Sequence, residues 1–123
     1  MYTLSVINDE HKGLFSMCVS IENNLGKVLE SESISAISEL LNAVQRHFAH
    51  EEAMMKDLIY FDYDAHKEVH IAFVRMAAEL YNSMLADPTY ISDVIRIIKN
   101  WLITHTEVEA LLFPKSFTRI NRQ

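Results

Sequence analysis

The sequence predicts an all-α fold, an antiparallel up-down-up-down four-helix bundle, and three observations carry that expectation. Gly and Pro occur only twice each in 123 residues, too few breakers for a sheet built on tight hairpins. Hydrophobic residues make up 50% of the chain, and they recur at three- and four-residue steps in four separate stretches. The connections between those stretches are short, so the most economical way to bury four apolar stripes is to pack the helices up and down around one axis. At this length the whole chain, 1–123, is one domain, with residues from about 114 onward read as a tail or the start of a linker.

The first helix is expected over about residues 9 to 30, with Asn8 as N-cap and Asp9 and Glu10 in the first turn, where the helix dipole favours negative charge. Its inner stripe reads His11, Leu14, Phe15, Cys18, Ile21, Leu25 and Val28. A second helix is expected from Ser33 to Ile59, with Ile37, Leu40, Val44, His47, Glu51, Met54 and Leu58 on one face. After "YFDYD", with Asp62 as N-cap, the third presents His66, His70, Phe73, Ala77, Leu80 and Met84. The fourth opens at "ADPT", where Asp87 can cap and Pro88 fits the first helical position, since its missing N–H would be unpaired there anyway. Its stripe is Ile91, Val94, Ile98, Trp101, His105, Glu109 and Leu112.

Composition removes several function classes. Seventeen acidic against eleven basic residues give a net charge of −6, and no basic face stands out, so no nucleic-acid partner is expected. No apolar run reaches the length of a membrane span, and "MYTLSVINDEH" lacks the basic start and apolar stretch of a signal peptide. The chain therefore reads as cytoplasmic, with no membrane partner. The lone Cys18 excludes an internal disulfide and reads as a packed thiol.

What the stripes contain is chemically unusual. Every helix brings at least one histidine to the bundle axis, and a buried unpaired imidazole or carboxylate is costly unless something satisfies it. Metal coordination does so. His11 lies early in its helix, His47 and Glu51 late, His66 and His70 early, and His105 late, so antiparallel packing brings all of them to one level. The spacings HxxxE (His47, Glu51) and HxxxH (His66, His70) set two ligands about 40° apart, one turn along the same face. Five imidazoles with a carboxylate suit iron better than structural zinc, which four ligands complete, and more donors than one ion needs point to two ions. His50 falls off the face of His47 and reads as a surface or supporting residue, Glu52 as solvated, and Met54, Met55, Met76 and Met84 as core filler.

The segments "INDEHKGLF", "HFAHEEAMM", "YDAHKEVHIAF" and "WLITH" resemble, in order and spacing, the successive signatures of the bacterial hemerythrins, over almost the whole chain. The resemblance implies a non-haem di-iron centre, with or without an oxo or hydroxo bridge, that binds dioxygen reversibly. His66, His70 and His105 would hold one iron, His11 and His47 the other, and Glu51 would bridge them, with oxygen entering at the iron that keeps an open position. Phe48, Phe73, Leu14, Trp101 and Leu102 would form the dry pocket around the metals. One departure stands out. Where the family carries a second bridging Asp five residues after the last histidine, this chain has Ala110. Glu109, about 40° from His105 on an ideal helix, can fill that role, or solvent can. Thr106, where the family usually has Ile, adds a polar group beside the same pocket. The expected function is dioxygen binding for storage, delivery or sensing, without enzymatic turnover. The alternatives are a sensory domain attached to a downstream signalling partner, or a di-iron enzyme reducing oxygen, peroxide or nitric oxide; another small diatomic or anion is an equal candidate ligand. No general acid or base beyond the ligands is evident, which favours binding.

Overall fold

In the computed structural model the described residues are 3–57 and 62–121, with side chains described through Glu109. Four helices, α1 (Leu4–Asn24), α2 (Glu30–Asp57), α3 (Tyr63–Ala86) and α4 (Ile91–Asn121), pack as the expected bundle. Each has two principal neighbours: α1 lies against α2 and α4, and α3 closes the other side between α2 and α4. None is long and apolar enough to cross a membrane among the described residues.

The helix ends differ from the sequence expectation in ways that have local causes. Asn8 is not the first cap: Thr3 is, its Oγ1 accepting from the Val6 N–H, and the extra turn lets Ile7 reach full burial. Glu10 is thereby removed from the first turn and freed for another task. Helix α1 stops at Asn24 because Gly26 adopts φ +79°, a left-handed turn that glycine takes without strain. Val28, placed on the inner stripe from sequence, therefore lies beyond the helix and is exposed. Phe15 is exposed as well. Ile7, Leu14, Cys18 and Ile21 are buried while His11 sits at the stripe's edge, so the true inner direction is rotated roughly 45° from His11 and carries Phe15 outward.

At the other junctions, Asp62 precedes α3 without a side-chain cap bond. Asp87 accepts from the Thr89 N–H and starts a single 3-10 turn, Pro88–Tyr90, before α4 proper. Leu58 and Leu112, expected on inner stripes, and Ile59, the expected end of the second helix, lie outside the described side chains. The backbone of residues 114–121, read from sequence as a tail, continues α4.

Burial follows the stripes. The main core joins Leu14, Cys18, Ile37, Leu40, Val44, Phe48, Phe73, Met84, Ile95 and Ile98 with their neighbours. A second, separate cluster of Ile7, Met54 and Met55, with Leu4 and Tyr63 against it, occupies the other end. Cys18 is fully buried, and burial, helped by nearby Glu22, pushes its thiol pKa up to about 11. It is a packed, unreactive thiol.

Candidate metal centre

Between the two apolar clusters lies a polar layer. His47, Glu51, His66, His70, His105 and Glu109 are buried, and His11 is 10% exposed. Each comes from the turn its spacing assigns: His11 from α1, His47 and Glu51 from α2, His66 and His70 from α3, His105 and Glu109 from α4. Two groups of donor atoms form. One contains Glu51, His66, His70, His105 and Glu109; the other contains His11, His47, Glu51 and Glu109. Both carboxylates belong to both groups.

The contacts have the dimensions of a coordination shell. Nε2 of His47 and of His70 lie 3.0 and 3.4 Å from Glu51 Oε1. Nε2 of His11 and of His105 are each 3.2 Å from Glu109 Oε1, and His66 Nε2 is 3.0 Å from Glu109 Oε2. Adjacent donors on an octahedral ion with bonds of about 2.1 Å stand about 3.0 Å apart. Only the His66–Glu109 contact is also a hydrogen bond. Among the described residues, seven buried atoms, Nε2 of His11, His47, His70 and His105, both oxygens of Glu51 and Oε1 of Glu109, have no hydrogen-bond partner. Neighbours this close that fail to bond aim their lone pairs at common points rather than at each other. A protein core does not tolerate seven such atoms without compensation, and cations at those points supply it.

Protonation agrees with that use. Burial would raise the Glu51 pKa, but the closeness of the His11, His47 and His70 rings outweighs it and holds the carboxyl well below its ordinary value. Burial lowers the pKa of His66, helped by nearby His70, and drives His105 to about 3. Ionised carboxylate and neutral imidazole are the forms that bind metal.

Behind the donors stand two carboxylates. Glu10 accepts from His47 Nδ1 at 3.0 Å, and Glu52 accepts from His70 Nδ1 at 3.0 Å. Each fixes the tautomer that leaves Nε2 facing the centre. Glu52, read from sequence as solvated, is therefore corrected to a partner of His70, only 21% exposed. Glu10 was read only as a first-turn charge. Their signal in the sequence was adjacency to a ligand, Glu10 to His11 and Glu52 to Glu51, which says nothing of the helix each would reach. His50, off the face of His47 as expected, bonds Glu10 as well.

Aromatic rings floor the layer. Phe48 stacks on His70 with centroids 3.8 Å apart, Trp101 stacks on His105 at 4.5 Å, and Phe73 packs against both Phe48 and Trp101. Outside the layer, an apolar cavity of about 260 Å³ between α1 and α4 is lined by His11, Leu14, Phe15, Leu102, Ile103 and Thr106 among others. The role given to Ala110 falls on a side chain outside the described residues.

Comparison with known proteins gives one consistent result. The signature described as the Hemerythrin HHE cation binding domain matches residues 3–116. The chain is similar to a bacteriohemerythrin of Methylococcus capsulatus, with 29% identity over 109 residues, 87% of this chain and 83% of that protein. It is 33% identical over 99 residues to a hemerythrin-like protein of Naegleria gruberi, covering 80% and 72% of the two chains. It is also 31% identical over 100 residues to a myohemerythrin of Theromyzon tessulatum, again 80% and 72%. No solved structure matches.

Proposed function

The chain belongs to the hemerythrin family, and on that premise we propose that it is a non-haem di-iron protein that binds dioxygen reversibly. The observation that carries the reading is the pair of donor groups sharing Glu51 and Glu109 around seven otherwise unsatisfied buried atoms. His66, His70 and His105 would hold one iron and His11 and His47 the other, with Glu51 and Glu109 within reach of both donor groups. Glu109 would take the role of the Asp that the family resemblance puts where Ala110 stands. The His11–His47 side has one imidazole fewer, which would leave room there for dioxygen or another small diatomic or anion. When bound, the iron pair supplies the electrons that dioxygen takes up and returns.

The chain's own residues do the rest. Glu10 and Glu52 hold His47 and His70 with Nε2 inward. Phe48, Phe73, Trp101 and Leu14 keep water away from the layer, which slows irreversible oxidation. Both carboxylates next to the donors are already engaged by imidazoles, which supports binding rather than turnover. The test is iron analysis with absorption spectra of the reduced protein before and after air, then with azide. Two irons per chain and a reversible, azide-sensitive iron-ligand band are expected. One iron, or stoichiometric zinc as isolated, overturns the di-iron reading; irreversible oxidation without a recoverable reduced state overturns the oxygen-binding one.

A further inference from the structure

Glu10 differs from Glu52 in having both of its oxygens taken. Oε1 accepts from Nδ1 of His47 at 3.0 Å, and Oε2 accepts from Nδ1 of His50 at 2.5 Å. A carboxylate only accepts, so both Nδ1 atoms carry the hydrogen, and the His47 Nε2 lone pair is left for the centre. His47 and His50 are three residues apart on α2 and Glu10 is on α1, so the carboxylate spans the two helices that carry His11 and His47. Among the described residues, the only hydrogen bond of the Glu52 side chain is to His70.

Exposure explains why the second bond matters. The Glu10 and His50 side chains are 26% and 28% exposed, so without His50 the second oxygen would be open to water. A carboxylate held at one oxygen can turn about its last torsion, a broad and soft rotation. Turning it releases His47 from the tautomer and ring angle that face Nε2 inward. The His11–His47 ion has fewer imidazoles than its neighbour, so loss of orientation at one of them is felt most there.

We propose that His50 is a positioning residue for the two-imidazole side of the centre: by gripping the second oxygen of Glu10, it locks the tautomer and orientation of His47. The proposal rests on the di-iron reading for its consequence, though not for its geometry. The full chain carries the test, with His50→Phe removing the donor, His50→Asn keeping an N–H close to the place of Nδ1, and each made again in Glu10→Gln. Imidazole ¹⁵N shifts of the metal-free protein read the His47 tautomer, and competition with a chelator reads iron release. In His50→Phe, His47 is expected to become a mixture of tautomers. One of the two irons is expected to leave about threefold to tenfold more readily, less than the tenfold or more typical of losing a ligand's direct partner. His50→Asn is expected to restore both readouts, and His50→Phe to add nothing in the Glu10→Gln background. The proposal is overturned by an unchanged His47 tautomer, by equal release of both irons, by no rescue with Asn, or by an undiminished effect in Glu10→Gln. Should the chain hold no iron at all, the di-iron reading fails while the tautomer measurement still decides the role of His50. His50→Ala serves in place of the Phe variant if that variant does not fold.

Discussion

Replacing Glu109 by Ala tests the proposal that this carboxylate is shared between two ions. The carboxylate is 1% exposed and lies 3.2 Å from Nε2 of both His11 and His105 and 3.0 Å from Nε2 of His66. It reaches donors of both groups, so its loss weakens both ions at once. Removing a residue that merely supports a ligand costs about 10–100-fold in metal affinity. A shared carboxylate must exceed that, so iron retention in Glu109→Ala is expected to fall by more than about 100-fold, or about 2.8 kcal/mol. The metal-free protein should respond far less. It loses one hydrogen bond to His66, worth about 1.5–3 kcal/mol when the partner is charged, and is relieved of a buried oxygen that had no partner. Iron per chain after chelator challenge, the rate of air oxidation, and urea unfolding with and without iron separate the two contributions. Ala110→Asp, made alongside, should change little because the role is already filled. A Glu109→Ala protein with unchanged iron content and oxidation rate would refute the assignment, as would an Ala110→Asp protein whose iron-ligand absorption shifts and whose oxidation slows.

Other outcomes follow from the same layer. His70→Ala should abolish stable loading, whereas His50→Ala should cost no more than about tenfold, since His50 reaches the donors through Glu10; equal iron loss in the two would show that the faces are misassigned. Glu52→Gln, which keeps the shape but exchanges a charged acceptor for a neutral one, should weaken iron by about 10–100-fold in chelator competition, and unchanged affinity would remove Glu52 from the support of His70. The metal-free protein should lose stability steadily below pH 6.5. His105 titrates near 6.5 when unfolded and near 3 when folded, so across that window the unfolded chain binds the extra proton and acid favours unfolding, by about 1.4 kcal/mol per pH unit. Glu51, held below its ordinary value, adds a loss of the same sign below pH 4.5. Urea midpoints at pH 7, 5.5 and 4.5 in chelator check this, and a flat profile contradicts it.

The buried donor layer was legible because each of its residues obeys two constraints at once. His47 and Glu51, or His66 and His70, share a helical face by spacing alone, and that face is otherwise apolar, so their identity and direction could be read together. The bundle was legible for the related reason that its loops are too short to permit much else. What escaped detection were contacts that cross between helices. Glu10 reaches from α1 to two histidines on α2, and Glu52 from α2 to α3; no periodicity within one helix encodes such a reach. Phe15 was misplaced because its stripe was drawn through His11, and Val28 because the helix stops at Asn24, before it. A ligand needs only to point its ring at the metals, so it can sit at the edge of the buried face. The helix also had to end early at Gly26.

The same layer explains why the described residues form two apolar clusters and not one. Ile7, Met54 and Met55 are as buried as anything in the main cluster, yet they belong to a separate group. Ile7 stands one turn before His11, Met54 and Met55 one turn after Glu51, and Tyr63 one turn before His66. Among the described residues, α1, α2 and α3 therefore each leave the layer with apolar side chains, and these close over the donors. An apolar residue at any of the seven layer positions would join the two clusters and would be expected to increase burial on folding. The chain instead carries imidazoles and carboxylates there, with a desolvation cost that hydrogen bonds within the layer only partly offset. A core interrupted in this way is stable to the extent that something binds the interruption, so cation affinity and the stability of this end of the bundle are one free energy divided between two descriptions.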